Sequence, residues 1–369
     1  MDAPDIRYPC RDRTRLDLRH QLTLVPNILL FHNRQQRPRA CPEPAEGSPR
    51  DPRSENRATV NRHTVSGRWK LGLALAMLTA FQFGAIPIVL KLLLKKIDPI
   101  TLSWYRFTVA AVFLGLFSFR THDLMAPLRL RGKSLVLLIV AVLGLSINYV
   151  LYTLGLEYSS PNTAQVMIQL APMLLLLGGL LIFKESFSVR QGVGVLALII
   201  GLIFFFDGKY DEILSGSSTL WMGILLVSLS AALWASYGLA QKQLLTVLSG
   251  PSIMFVVYIA GSVMYLIRAK PLTAASLTPI EWALLALSAM FATVSYVCLA
   301  AAMNHLEASR VSVVLATPPI FTVVMVAILA PIFPEYVQAE PISALTTVGI
   351  LLVVAGSILA SMKPGSASS

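Results

Sequence analysis

The sequence predicts an all-α integral membrane protein whose ten transmembrane helices form two inverted five-helix repeats. Three observations predict this. Ten apolar stretches of spanning length fill residues 71–361, and of the 299 residues from Leu71 onward only 27 are Asp, Glu, Lys or Arg, nearly all of them between the stretches. The second five stretches also repeat landmark residues of the first five in the same order.

Length follows from solvent. A hydrocarbon core of about 30 Å needs roughly 20 largely apolar residues at about 1.5 Å of rise each. Hydropathy places helices at 71–92, 100–119, 135–156, 162–182 and 190–206, then at 220–241, 252–268, 281–303, 308–331 and 343–361. Short connections leave no room for an extramembrane domain after the first helix, so the chemistry is expected inside the bilayer.

Residues 1–67 are of another kind. The first 70 residues carry 14 of the 30 basic and 8 of the 19 acidic residues of a chain with net charge +11. Too little apolar surface is available there to offset ordering entropy, which predicts a disordered basic tail; a start codon assigned too far upstream is the alternative reading. The apolar run Leu22–Phe31 is broken by Pro26 and lacks a small-residue cleavage site, so no signal peptide is expected. A solvated tail is preferred over one that binds lipid headgroups or nucleic acid. The domain plan is therefore a tail, a first repeat over 68–210, a second over 211–362 and a short C-terminal tail over 363–369. Cys10, Cys41 and Cys298 imply no disulfide framework.

Orientation follows from Lys and Arg, whose translocation is costly. With the N-terminus cytoplasmic, Arg120, Arg129, Arg131, Lys133, Lys184, Arg190, Lys242 and Arg310 fall inside, against Lys91, Lys95, Lys96, Lys209, Arg268 and Lys270 outside. Both termini are expected in the cytoplasm.

The repeat aligns Gly72 and Lys91 with Gly223 and Lys242, Asn148-Tyr149-Val150 with Ser295-Tyr296-Val297, and Ala171-Pro172 with Pro318-Pro319. Gly194 and Gly201 then match Gly349 and Gly356. Five is odd, so the second copy enters the membrane in the opposite sense, the arrangement in which exchanging the conformations of two halves alternates access to a midplane site.

These residues resemble the EamA-type branch of the drug/metabolite transporter superfamily. Lys91–Arg106 (KLLLKKIDPITLSWYR) and Ser160–Glu185 (SPNTAQVMIQLAPMLLLLGGLLIFKE), followed by Gln191, Gly194 and Gly201, carry the resemblance, which covers residues 68–362. The chain departs from the pattern at Phe81-Gln82-Phe83, where a Trp is common, and at Ser249-Gly250-Pro251, which stands where the first half has Asp98-Pro99. The resemblance implies a ten-helix carrier of the cell inner membrane, commonly an exporter of amino acids or other small metabolites.

Polar side chains within lipid-buried helices are candidate site residues. Asn148 and Tyr152 share a face of the third helix, Gln165 and Gln169 a face of the fourth, and Trp234, Tyr237 and Gln241 lie along the sixth; Tyr296 matches Tyr149 by symmetry. They are expected to bind substrate, although each also has a plain reading as a bond between helices. Arg106 is either an anchor for a substrate carboxylate or, as its closeness to Pro99 favours, a structural residue bonded to backbone carbonyls or snorkelling to the interface. Lys91 and Lys242 read as interface anchors. Pro87, Pro172, Pro318 and Pro319 interrupt apolar runs and are candidate hinges or static kinks. Gly194, Gly201, Gly349 and Gly356 mark close helix contacts within the chain.

Several functions are disfavoured. No carboxylate falls near the middle of a predicted span, and a proton-driven pump usually keeps one there, so transport down a gradient or by exchange is expected. No nucleotide cradle is present, and His122 and His305 are far apart with no ligand spacing, which argues against an ATP-driven pump and an integral-membrane lipid enzyme. No cofactor, metal or nucleic acid is expected. The partners are a small molecule and the bilayer, with monomer and homodimer both open. The leading expectation is a carrier for a neutral or zwitterionic metabolite; a carrier of lipophilic drugs or cations, on the same fold, is the runner-up.

Overall fold

In hydrocarbon every backbone amide must be satisfied within its own segment, so an apolar stretch of spanning length becomes a helix. The computed structural model of the chain describes residues 68–362 except 119–122, 184–186, 211–212, 214–218, 307, 335–336 and 338–341. The predicted disordered tail and His122 lie outside the described residues. Within them are α1 (Trp69–Leu93), α2 (Pro99–Ser118), α3 (Lys133–Glu157), α4 (Pro161–Met167), α5 (Leu170–Phe183) and α6 (Val189–Phe205). The second half follows with α7 (Thr219–Leu244), α8 (Gly250–Leu266), α9 (Pro279–His305), α10 (Ala308–Leu315), α11 (Pro318–Ile332) and α12 (Ala344–Ser361). Eight segments are long and apolar enough to span a membrane, while α6 and α8 are shorter apolar helices of 17 residues, at the low end of spanning length.

Capping fixes where helices begin. Ser160 Oγ accepts from Thr163 N at 3.0 Å with Pro161 at the first helical position. Ser188 with Gln191, and Thr278 with Glu281, form capping boxes for α6 and α9. Lys91 corrects the reading as a simple interface anchor. Its ammonium donates to Leu156 O, Glu157 O and Ser159 O at 2.8, 2.8 and 2.7 Å, closing the C-terminal end of α3 where carbonyls have no intrahelical donor.

The fourth and ninth crossings differ from the continuous helices expected at 162–182 and 308–331. Each is broken. The chain turns at Ile168–Gln169 between α4 and α5, and at Ala316–Thr317 between α10 and α11. Pro172 lacks the amide that would reach Ile168 O, and Ala171 N takes that carbonyl instead at 2.9 Å. Pro318 likewise cannot donate to Val314 O, which is bonded by Thr317 N at 3.1 Å and Thr317 Oγ1 at 2.7 Å. By contrast α1 runs through Pro87 as one helix.

The two repeats are interleaved: α6 pairs with α12, α3 with α7, α1 with α9, and α2 with α8. Small residues permit these approaches. At Gly201 a Cβ would fall 2.6 Å from Val353 N and 2.8 Å from Gly349 O, and at Gly194 it would fall 2.5 Å from Ala360 N, so the predicted glycine pairs do serve contact within the chain. Polar joints obey the same pseudo-symmetry. Asn148 of α3 donates to Ser230 O and Oγ of α7, both at 2.8 Å, while Ser295, its repeat mate on α9, donates to Gln82 Oε1 of α1 at 2.8 Å.

Candidate functional site

Arg106 sits two turns into α2, whose start is fixed by Asp98: its Oδ1 accepts from Ile100 N at 3.1 Å and Thr101 N at 3.0 Å. The side chain is only 4% exposed. Its guanidinium carbon lies 4.7 Å from the centre of the Tyr149 ring, and its buried Nε has no hydrogen-bond partner. A cation over an aromatic face is stabilised by about 0.5–2 kcal/mol, well short of the several kcal/mol that sequestering a charge costs. The site thus holds a positive charge that the surrounding protein only partly offsets.

The walls are phenolic. Tyr149, Tyr152, Tyr258, Tyr265 and Tyr296 all lie within electrostatic reach of the guanidinium. Phe107, next to Arg106 in α2, stands edge-on to Tyr149, Tyr258 and Tyr265 at centroid distances of 4.8, 5.1 and 5.1 Å and holds those rings in place. Tyr296 packs edge-on against Phe83 at 6.0 Å and lies beside Trp234. Tyr237 is buried, with its hydroxyl donating to Met254 Sδ at 3.0 Å and lying beside Gln241.

The sequence-predicted residues therefore divide into two sets. Tyr152, Trp234, Tyr237, Gln241, Tyr296 and Arg106 come together around one tyrosine-lined region. Asn148 and Gln169 instead spend amide donors on helix joints, Asn148 at Ser230 and Gln169 Nε2 on Ala316 O at 2.9 Å. Gln165 is buried on α4, and no hydrogen bond links it to the cluster. Three tyrosines were missed. Tyr149 served only as the repeat mate of Tyr296, though the two match by position; Tyr258 is found when Pro251 is laid on Pro99, which puts it at the place of Arg106. Tyr265, whose hydroxyl bonds Ser146 O, carries no comparable signal.

The joint made by Gln169 places the two broken crossings against each other. Ala316 is the residue that the repeat alignment assigns to Gln169, so equivalent breaks of the two halves touch. Half-helices meeting at the interface of inverted repeats are the structural mark of a carrier's central site.

The model of the EamA-like transporter family matches residues 70–206 and again residues 221–362. The chain belongs to the EamA-like transporter family. Among its relatives, the uncharacterized inner membrane transporter YhbE of Escherichia coli (strain K12) is 34% identical over 290 residues, covering 78% of this chain and 90% of the relative. An uncharacterized transporter of Haemophilus influenzae is 31% identical over 293 residues, covering 79% and 95%. A crystal structure with 16% identity aligns over 78% of this chain and 96% of its own at a TM-score of 0.53, a likeness of fold. Membership in the EamA-like family makes the protein a multi-pass membrane transporter, and the tandem match agrees with the repeat read from Gly72, Tyr149 and Pro172.

Proposed function

We propose that this EamA-like protein moves a small neutral or zwitterionic, amino-acid-like metabolite across the cytoplasmic membrane by alternating access, in the direction of export and with both termini cytoplasmic. The contact between the equivalent breaks at Gln169 and Ala316 carries the reading, because it gives the two inverted halves a shared deformable point. The aromatic walls supply apolar contact, and their phenols supply donors and acceptors for a cargo with both kinds of surface. The buried charge is positive, which weighs against a cationic drug as cargo. The acidic side chains among the described residues stand at helix ends or, for Asp123, in the connection between α2 and α3, in keeping with movement down the cargo gradient or by exchange rather than by obligatory proton coupling.

Proteoliposomes loaded with radiolabelled neutral amino acids, or with lipophilic amines, test this. Efflux of at least one amino acid without an imposed pH gradient is expected, with reduced rates for Gln169→Ala and Trp234→Ala. Movement of amines alone would overturn the cargo class, and uphill movement under a pH gradient alone would overturn the energetics.

A further inference from the structure

We propose that Arg106 is the docking point for a carboxylate of the cargo, so that the transported molecule is a carboxylate-bearing zwitterion and the empty protein holds an uncompensated guanidinium. This rests on the carrier reading above and narrows its substrate class. Three observations carry it. Arg106 is 4% exposed, its Nε is sealed without a partner, and no hydrogen bond or ion pair joins its guanidinium to the described residues.

Every acidic side chain among the described residues is placed elsewhere. Asp98 caps α2, Asp123 pairs with Arg129 at 3.0 Å, Asp207 accepts from Ser343 Oγ at 3.1 Å, Glu281 caps α9 and Glu157 is exposed at the end of α3. The structural alternatives are not realised either: a snorkelling arginine would reach the interface, and a helix-fixing one would bond carbonyls. The guanidinium lies instead over the Tyr149 ring. With its carbon 4.7 Å from the centre of that ring, the planar fork is available for end-on or side-on pairing with a carboxylate, the geometry that distinguishes arginine from lysine. Tyr152, Tyr258 and Tyr296 then present phenol oxygens and ring faces to the cargo's ammonium, which needs no acidic partner where aromatic faces are available.

Wild-type protein in nanodiscs is titrated with neutral L-amino acids and with their amides, binding being read from tryptophan fluorescence. The amide removes the carboxylate charge and, at a pH low enough to keep its amine protonated, retains the ammonium, so this comparison requires no variant to fold. The amides are expected to bind about 10- to 150-fold more weakly, the span for losing a charge-assisted hydrogen bond. Arg106→Gln should abolish the discrimination, and Arg106→Lys should restore part of it. Equal binding of acid and amide would overturn the proposal, as would discrimination surviving in Arg106→Gln. Chloride or acetate competing as well as the amino acid itself would also overturn it, because the site would then hold a free anion rather than cargo. Failure of the carrier reading looks different: the carboxylate would bind with its preference intact while proteoliposomes released no amino acid.

Discussion

Polar groups in this protein are used in two ways that share residue types and differ in what the side chain meets. Asn148 is an amide on the inner face of α3, as a cargo ligand would be, yet both its donors go to Ser230 of α7. Asn148→Ala should therefore lower stability by about 0.6–1.7 kcal/mol, the range for hydrogen bonds between membrane helices, while leaving transport intact. Lys91→Met removes three bonds to the end of α3 and should cost more, about 1.5–3 kcal/mol. Thermal unfolding in detergent orders the two, and equal losses would contradict the assignment of Lys91 as a cap. Helical periodicity identified the faces on which Asn148, Gln169 and Tyr152 lie. It could not reveal that Asn148 meets Ser230, that Gln169 meets Ala316 and that Tyr152 lies within electrostatic reach of Arg106, because each partner comes from a segment distant in sequence. Arg106 itself was assigned mainly by its distance from Pro99, whereas its burial depends on where Tyr149 and Phe107 are packed.

At the level of the helix, hydropathy was a good guide to position and a poor one to continuity. Averaging over a spanning window gives α4 with α5, and α10 with α11, the same signal as an unbroken helix, although Pro172, Pro318 and Pro319 were visible at the breaks. What decides is the backbone donor each proline removes and whether a nearby group replaces it, as Ala171 N and Thr317 Oγ1 do. Pro172→Ala restores a donor toward Ile168 O and favours a straighter crossing. It is expected to slow exchange of bound cargo several-fold while leaving its equilibrium binding nearly unchanged, and an unaltered rate would show the break to be static. The glycine stripe makes a sharper steric prediction. Gly201→Leu drives a side chain into the backbone of α12 and should destabilise by about 1–3 kcal/mol or more. On the same helix a Cβ at Gly192 meets only the Phe187 ring, at 3.3 and 3.5 Å, so Gly192→Leu should unfold close to wild type. Reversal of that order in a thermal melt would mean that α6 does not pack on α12 as described.

For the molecule as a whole, the consequential property is that one set of five crossings is present twice in opposite sense, with the copies interleaved through α1–α9 and α3–α7 rather than standing side by side. Equivalent positions then sit in equivalent local surroundings but face opposite sides of the membrane. Ile168, at the turn after α4, and Leu315, the last residue of α10, are such a pair at the same alignment that relates Gln169 to Ala316. If the halves exchange conformations during transport, opening toward one side exposes one of these residues and covers the other. The measurement uses single Ile168→Cys and Leu315→Cys variants in a chain whose three native cysteines are replaced by Ser, labelled by a membrane-impermeant thiol reagent from one face with and without cargo. Cargo should change the two labelling rates in opposite directions. A common rise or fall would mean that the contact at Gln169 moves as one block, and alternating access would then have to arise elsewhere in the fold.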